Sequence, residues 1–122
     1  MKNIIARKRT LIPVAAILVL LVSVGGTHHG WSNYNQKKTL TFTGEIAKST
    51  YENPHGMISL KLDDKTWTVV LAPPSRMETR GLEKSMLKVG TTATVVGYPH
   101  KSVKDEMRAE RITIGEKTTE LR

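Results

Sequence analysis

The sequence predicts an all-β protein with one short helix: a small five-stranded OB-like Greek-key barrel preceded by a cleavable signal peptide. Three observations predict it. Short runs of alternating apolar and polar residues recur from Leu40 to Ile114. One Ser-Arg-Met-Glu stretch with helix-start character falls between the third and fourth runs. The resulting order of strand, hairpin, helix, strand, strand is that of an OB barrel. A small open sheet with a helix across one face is the competing arrangement; closure answers the edge-strand problem better.

Each element follows from local chemistry. Leu40, Phe42 and Ile46 alternate with Thr41, Thr43 and Glu45, and Gly44 occupies the apolar register, where a strongly bent strand needs it. Ile58, Leu60 and Leu62 alternate with Ser59, Lys61 and Asp63; Asp63-Asp64-Lys65 is a tight turn into Thr66 to Leu71. Pro73-Pro74 stops that ladder, because neither residue donates a backbone hydrogen bond. Ser75-Arg76-Met77-Glu78 has the form of a capping box, and Gly81 suits the helix end, with Leu82 to Leu87 adding a second turn. Thr92 to Tyr98 forms the fourth strand. Met107 to Ile114 forms the fifth, and its alternation breaks between Ala109 and Ile112, which predicts a bulge.

The domain organisation begins with targeting. Lys2, Arg7, Lys8 and Arg9 make a positive start, Leu11 to Val24 is an uncharged run broken only by Pro13 and Ser23, and Val24-Gly25-Gly26 supplies small residues for cleavage. Residues 1–26 read as a signal peptide, 27–38 as an N-terminal arm, 39–115 as the barrel and 116–122 as a C-terminal tail. The apolar run is shorter than the roughly 20 residues a spanning helix needs, so a membrane association is expected only through this segment if it is uncleaved. The expected location is periplasmic or secreted.

Composition narrows the function. The full chain carries +8, but four of its 19 Lys and Arg and none of its 11 Asp and Glu precede residue 27, which leaves +4 after cleavage. That is an ordinary soluble surface, without the basic stripe of a nucleic-acid protein, so no nucleic-acid partner is expected. Zero cysteines exclude disulfides, thiolate metal sites and thiol nucleophiles. A Gly-x-Ser-x-Gly elbow, a phosphate-cradling loop and a His-Glu-x-x-His helix are all missing from the sequence, and no enzyme is expected.

The four histidines carry the functional expectation. His28 and His29 follow the signal-like segment; cleavage before Thr27 would place His29 third from a free amine. That amine, two deprotonated amides and the imidazole form a square of four nitrogens suited to Cu(II) or Ni(II). Cleavage one residue later would make His28 the terminus, with amine and ring clasping copper together. His55, in Asn53-Pro54-His55-Gly56, and His100, in Pro99-His100-Lys101, fall in the two loops that help form the binding face of OB barrels. The expected metal set is His28, His29, His55 and His100, holding Cu(II) or another divalent transition metal. Met57 and Met107 are soft atoms expected to fill core or barrel-end space, and Trp31 is expected to anchor the arm by packing. The alternative is a non-catalytic protein-interaction accessory module of the bacterial cell envelope, its sign an exposed apolar patch around Trp31 and Tyr34. An oligonucleotide or oligosaccharide binder rests on fold analogy alone and ranks last.

The order His28-His29, then Leu40-Thr41-Phe42-Thr43-Gly44-Glu45-Ile46, then Asn53-Pro54-His55 resembles a family of small exported bacterial proteins of unknown function. Leu87-Lys88-Val89-Gly90, Val95-Val96-Gly97-Tyr98 and Ala109-Glu110-Arg111-Ile112-Thr113 extend the resemblance over the whole mature chain. It implies an exported location and a small β-barrel, and it supplies no reaction. Members typically carry a small apolar residue where this chain has Thr27.

Overall fold

The computed structural model describes residues 30–122; the signal segment, its cleavage point and the His28-His29 pair lie outside the described residues. Strand β1 (Leu40–Thr50) is long enough to serve two partners. Leu40 to Glu45 pair with β4 (Thr92–Pro99), and Glu45 to Thr50 pair with β2 (Met57–Lys61), both antiparallel. At the changeover Gly44 lets β1 approach β2 closely, because a side chain there would press into the Lys61 carbonyl. The register then shifts between Ile46 and Lys48, which leaves Ala47 as a bulge.

A hairpin joins β2 to β3 (Thr66–Val70) as the alternation predicts, its turn closed by Leu62 N–H donating to the Lys65 carbonyl at 2.9 Å. Strand β5 (Glu106–Ile114) pairs antiparallel with β4 and parallel with β3 through Thr68 to Val70. That short parallel ladder closes the five-stranded barrel. The predicted bulge is present: Val96 faces Arg111 and Gly97 faces Ala109, so Glu110 is the extra residue.

Helix α1 (Pro74–Thr79) lies between β3 and β4, but the capping box does not form. Pro73 is the N-cap and Pro74 the first helical residue, so Ser75 already stands inside the helix and makes no cap bond. The cause is Pro74, whose fixed φ and missing N–H suit the first helical position and move the start upstream of Ser75. Gly81 does end the helix: its φ is +79°, and Leu82 N–H returns to the Met77 carbonyl at 2.8 Å. The second turn expected from Leu82 to Leu87 is a 3-10 turn at Lys84–Leu87.

The C-terminal segment differs from the expected tail. Gly115, with φ of +59°, turns the chain into a sixth strand, β6 (Lys117–Glu120), antiparallel to β5. Only Leu121 is apolar in this segment, and it is 1% exposed. Leu121→Ala is therefore expected to cost about 2–4 kcal/mol, as for other fully buried leucines; urea unfolding of the two chains measures it. The rest of the core is one cluster inside the barrel and under α1, led by Ile58, Leu60, Val69, Val95, Met107 and Ile112. Met107 thus fills core space as expected, whereas Met57 is only half-buried.

Candidate binding site at the arm end of the barrel

The loop after β1 is tied to the chain just before α1. Gly56 N–H donates to the Ala72 carbonyl at 2.9 Å, and Leu71 N–H donates to the Gly56 carbonyl at 2.8 Å. This ladder seats His55, one residue earlier, against the entry to α1. The His55 ring is half-buried, with Nε2 3.4 Å from Arg108 Nη2. Burial, followed by the charges of Arg108 and Arg76, holds its pKa below the usual 6.5.

Arg108 stands on β5 opposite Val70 of β3 and Tyr98 of β4. It is 6% exposed, because the arm covers it. Its guanidinium carbon lies 4.5 Å from the centre of the Trp31 ring, and that of Arg122 lies 4.4 Å from the same ring. Tyr98 meets Trp31 edge-on at 6.0 Å, and its hydroxyl donates to Glu110. Trp31 does anchor the arm by packing.

The arm continues as a strap. After a 3-10 turn at Trp31–Asn33, Tyr34 forms an isolated antiparallel bridge with His100. Asn35 N–H donates to the Pro99 carbonyl at 2.8 Å, and Lys101 N–H donates to the Asn33 carbonyl at 2.9 Å. Tyr34 is buried, and its hydroxyl donates to Glu106 Oε2 at 3.0 Å. Burial and then Glu106 push the phenol well above its usual pKa, so it stays a donor at any physiological pH. Tyr34→Phe is expected to cost about 1 kcal/mol for this one bond, read as a lowered urea midpoint.

His100 serves its own loop. Its Nδ1 accepts from the amides of Ser102 and Val103 at 3.0 and 2.9 Å, and its Nε2 faces Glu106 Oε2 at 3.9 Å. An Nδ1 that accepts two amides leaves Nε2 carrying the proton in a neutral ring. Neither nitrogen then offers a lone pair to a metal. The structure therefore brings His55 and His100 to the same arm-covered part of the barrel, but through different partners. Among the described residues, no group of three or more His, Cys, Asp or Glu is placed to hold a metal ion.

His28 and His29 lie outside the described residues. Gly30 follows directly, and Trp31 is the residue packed on Arg108. The expected apolar patch around Trp31 and Tyr34 is not presented: Tyr34 is 6% exposed and Trp31 is covered by the groups just named. Arg76, Arg108 and Arg122 are the site residues that sequence reasoning missed. The depressed pKa of His55 also gives a testable consequence. The unfolded chain takes a proton first on acidification, so His55 contributes stability above pH 6.5 that is lost as pH falls through the folded value. The stability gap between the native chain and His55→Asn is expected to narrow between about pH 7.5 and about pH 5, measured by urea midpoints.

Barrel, closing parallel ladder and helix position define the chain as an OB-like domain. It belongs to DUF6152, a family of unknown function, which it matches over residues 17–108. No curated protein matches it. Among solved structures it is similar to a chain of the S. pombe Stn1-ten1 complex, with a TM-score of 0.52 and 12% identity over 65% of this chain and 59% of that one. It is also similar to a chain from a complex of TiaS with an isoleucine tRNA and ATP, with a TM-score of 0.50 and 18% identity over 73% of this chain. The chain spans only 20% of that second protein and less than two thirds of the first. At such identities the likeness concerns the fold alone. No helix among the described residues is long and apolar enough to cross a membrane.

Proposed function

We propose that the chain is an exported, non-catalytic binding domain that takes a divalent transition metal, copper first, at the arm end of the barrel. His29 and His28 are the anchor. The observation that carries this reading is the pinning of the arm: Trp31, two residues after His29, packs on Arg108, and Arg108 touches His55. A metal held by the pair is thereby tethered close to a third imidazole.

The electrostatics tolerate copper in this setting. A Cu(II) chelate with two deprotonated backbone amides carries no net charge at the metal, so Arg76, Arg108 and Arg122 repel it far less than a free divalent ion. His55 is held in its neutral form, the form that ligates. It joins through Nε2 once Arg108 yields that nitrogen. His100 is the weakest of the four candidates, because its Nδ1 is spent on the loop.

Equilibrium dialysis against Cu(II) tests the ranking. His55→Ala is expected to weaken copper retention, and His100→Ala to weaken it by less. Retention that falls most with His100→Ala contradicts the proposed arrangement.

A further inference from the structure

We propose that the arm end of the barrel docks on the surface of a bilayer rich in anionic phospholipid, through Lys37, Lys38, Lys101 and Lys104, with Val103 entering the acyl boundary. This goes beyond the metal reading, does not depend on it, and adds to any association through the apolar N-terminal segment.

The four lysines come from two segments more than 60 residues apart, so they look interspersed in the sequence and the fold gathers them. Lys101 N–H donates to the Asn33 carbonyl at 2.9 Å, and Lys38 N–H turns back to the Asn35 carbonyl at 3.1 Å. Lys37 and Lys101 line one open cleft of about 490 Å³ with Tyr34, Asn35 and Gln36, and no carboxylate lines it. Lys104 follows three residues on in the same loop. All four lysines are exposed, and among the described residues none of them stands in an ion pair. The acids that follow them are engaged: Asp105 faces Lys65 at 3.5 Å, and Glu106 accepts from Tyr34. Asp63 and Asp64, in the β2–β3 turn, lie beside Lys65 in the chain.

The occupant follows from what stands among the lysines. Val103 lies between Lys101 and Lys104 and is 49% exposed. An apolar side chain flanked by ammonium groups fits a bilayer interface, where hydrocarbon reaches the acyl boundary and lysines meet phosphates. A dissolved anion offers Val103 nothing to bury against. Val89, at 66%, is the other exposed large apolar side chain among the described residues, and it shares a cleft with Lys84 and Lys88. There, however, Lys84 also shares a cleft with Glu78 and Glu83, so the charge is balanced. Strand β4 runs between Lys88 and Lys101 and sets these two ends about 25 Å apart. Chain length selects the arm end too. The apolar run Leu11 to Val24 stops six residues before Gly30, a reach of at most roughly 20 Å. While that run sits in a bilayer, Gly30 and the strap leading to Lys37 are held close to the headgroups.

The test uses the mature chain with EDTA present, so failure to bind copper leaves it unaffected. Co-sedimentation reads binding to vesicles of phosphatidylglycerol mixed with phosphatidylcholine, and to phosphatidylcholine alone. Expected is binding to the mixed vesicles that weakens as NaCl rises from about 0.05 M to about 0.5 M, and none to phosphatidylcholine alone. Lys37→Gln combined with Lys101→Gln is expected to weaken binding about twenty-fold, at about five-fold per lysine. Lys84→Gln combined with Lys88→Gln makes the same change of charge at the other end and is expected to weaken it less than about three-fold. Far-UV circular dichroism confirms that each variant is folded. Because the chain has no cysteine, a polarity-sensitive dye on Val103→Cys reports a single site. Its emission is expected to shift to the blue on the mixed vesicles, while the same dye on Val89→Cys keeps its emission. No binding to the mixed vesicles, equal losses in the two lysine pairs, a blue shift at Val89→Cys in place of Val103→Cys, or binding to heparin without binding to vesicles overturns the proposal.

Discussion

Gly97→Ala is expected to destabilise the barrel more than any other single methyl group added to its strands. Gly97 stands on β4 opposite Ala109 beside the Glu110 bulge, and a methyl group there would overlap the Arg108 carbonyl and lie 2.8 Å from Ala109 Cα. Both obstacles are backbone in a hydrogen-bonded ladder, so no side chain can swing aside. Overpacking that neighbours can absorb costs about 1–3 kcal/mol; here the expected loss exceeds about 3 kcal/mol against a total of roughly 5–15 kcal/mol for a small domain. The same displacement would move Arg108, and with it the contacts to Trp31 and His55. Thermal unfolding followed by circular dichroism reads the effect. A melting temperature within a few degrees of the native chain's would mean that β4 and β5 are not apposed at Gly97 as described.

The second large effect is expected at the arm. Under the proposed reading, His29→Ala removes the imidazole from a square of four nitrogens and leaves a chelate open on one side. Copper retention is expected to fall at least about a hundred-fold, which corresponds to roughly 2.7 kcal/mol. The fold is expected to be unchanged, because the strap contacts of Tyr34, Asn35 and Lys101 do not involve His29. Competition with a chromophoric chelator gives the affinity. Undiminished affinity in His29→Ala would remove the terminal chelate from consideration.

Most of the barrel was legible because its strands face a single core. The alternation of Ile58 and Leu60 in β2, and of Ala93 and Val95 in β4, follows burial residue by residue. Gly44, Gly81 and the Glu110 bulge were readable for the same reason: each breaks a pattern at a place where the geometry demands it. Strand β6 was hidden because Lys117 to Glu120 is polar, and its two-residue turn at Gly115-Glu116 is a weak signal without flanking apolar alternation. The start of α1 was misplaced because Ser75 and Glu78 match a capping pattern that Pro74 overrides.

The site was half legible. Turn chemistry marked the loops holding His55 and His100, and the chain order placed both loops at one part of an OB barrel. Nothing local marked Arg108. It lies between Met107 and Ala109, both buried in the core, at a position where alternation predicts a solvated side chain. What buries it is an arm more than 70 residues earlier in sequence, stacked on it through Trp31. The hydrogen-bond partners that fix the ring tautomers of His55 and His100 are likewise tertiary or loop-specific, and they are what separates the two histidines chemically.

The central proposal, copper held at the arm end of an exported barrel, is tested most directly by intact mass spectrometry of the secreted protein before and after one equivalent of Cu(II). The expected result is a mature chain beginning at Thr27 that keeps one copper through buffer exchange. A mature chain of that length that keeps none contradicts the metal reading.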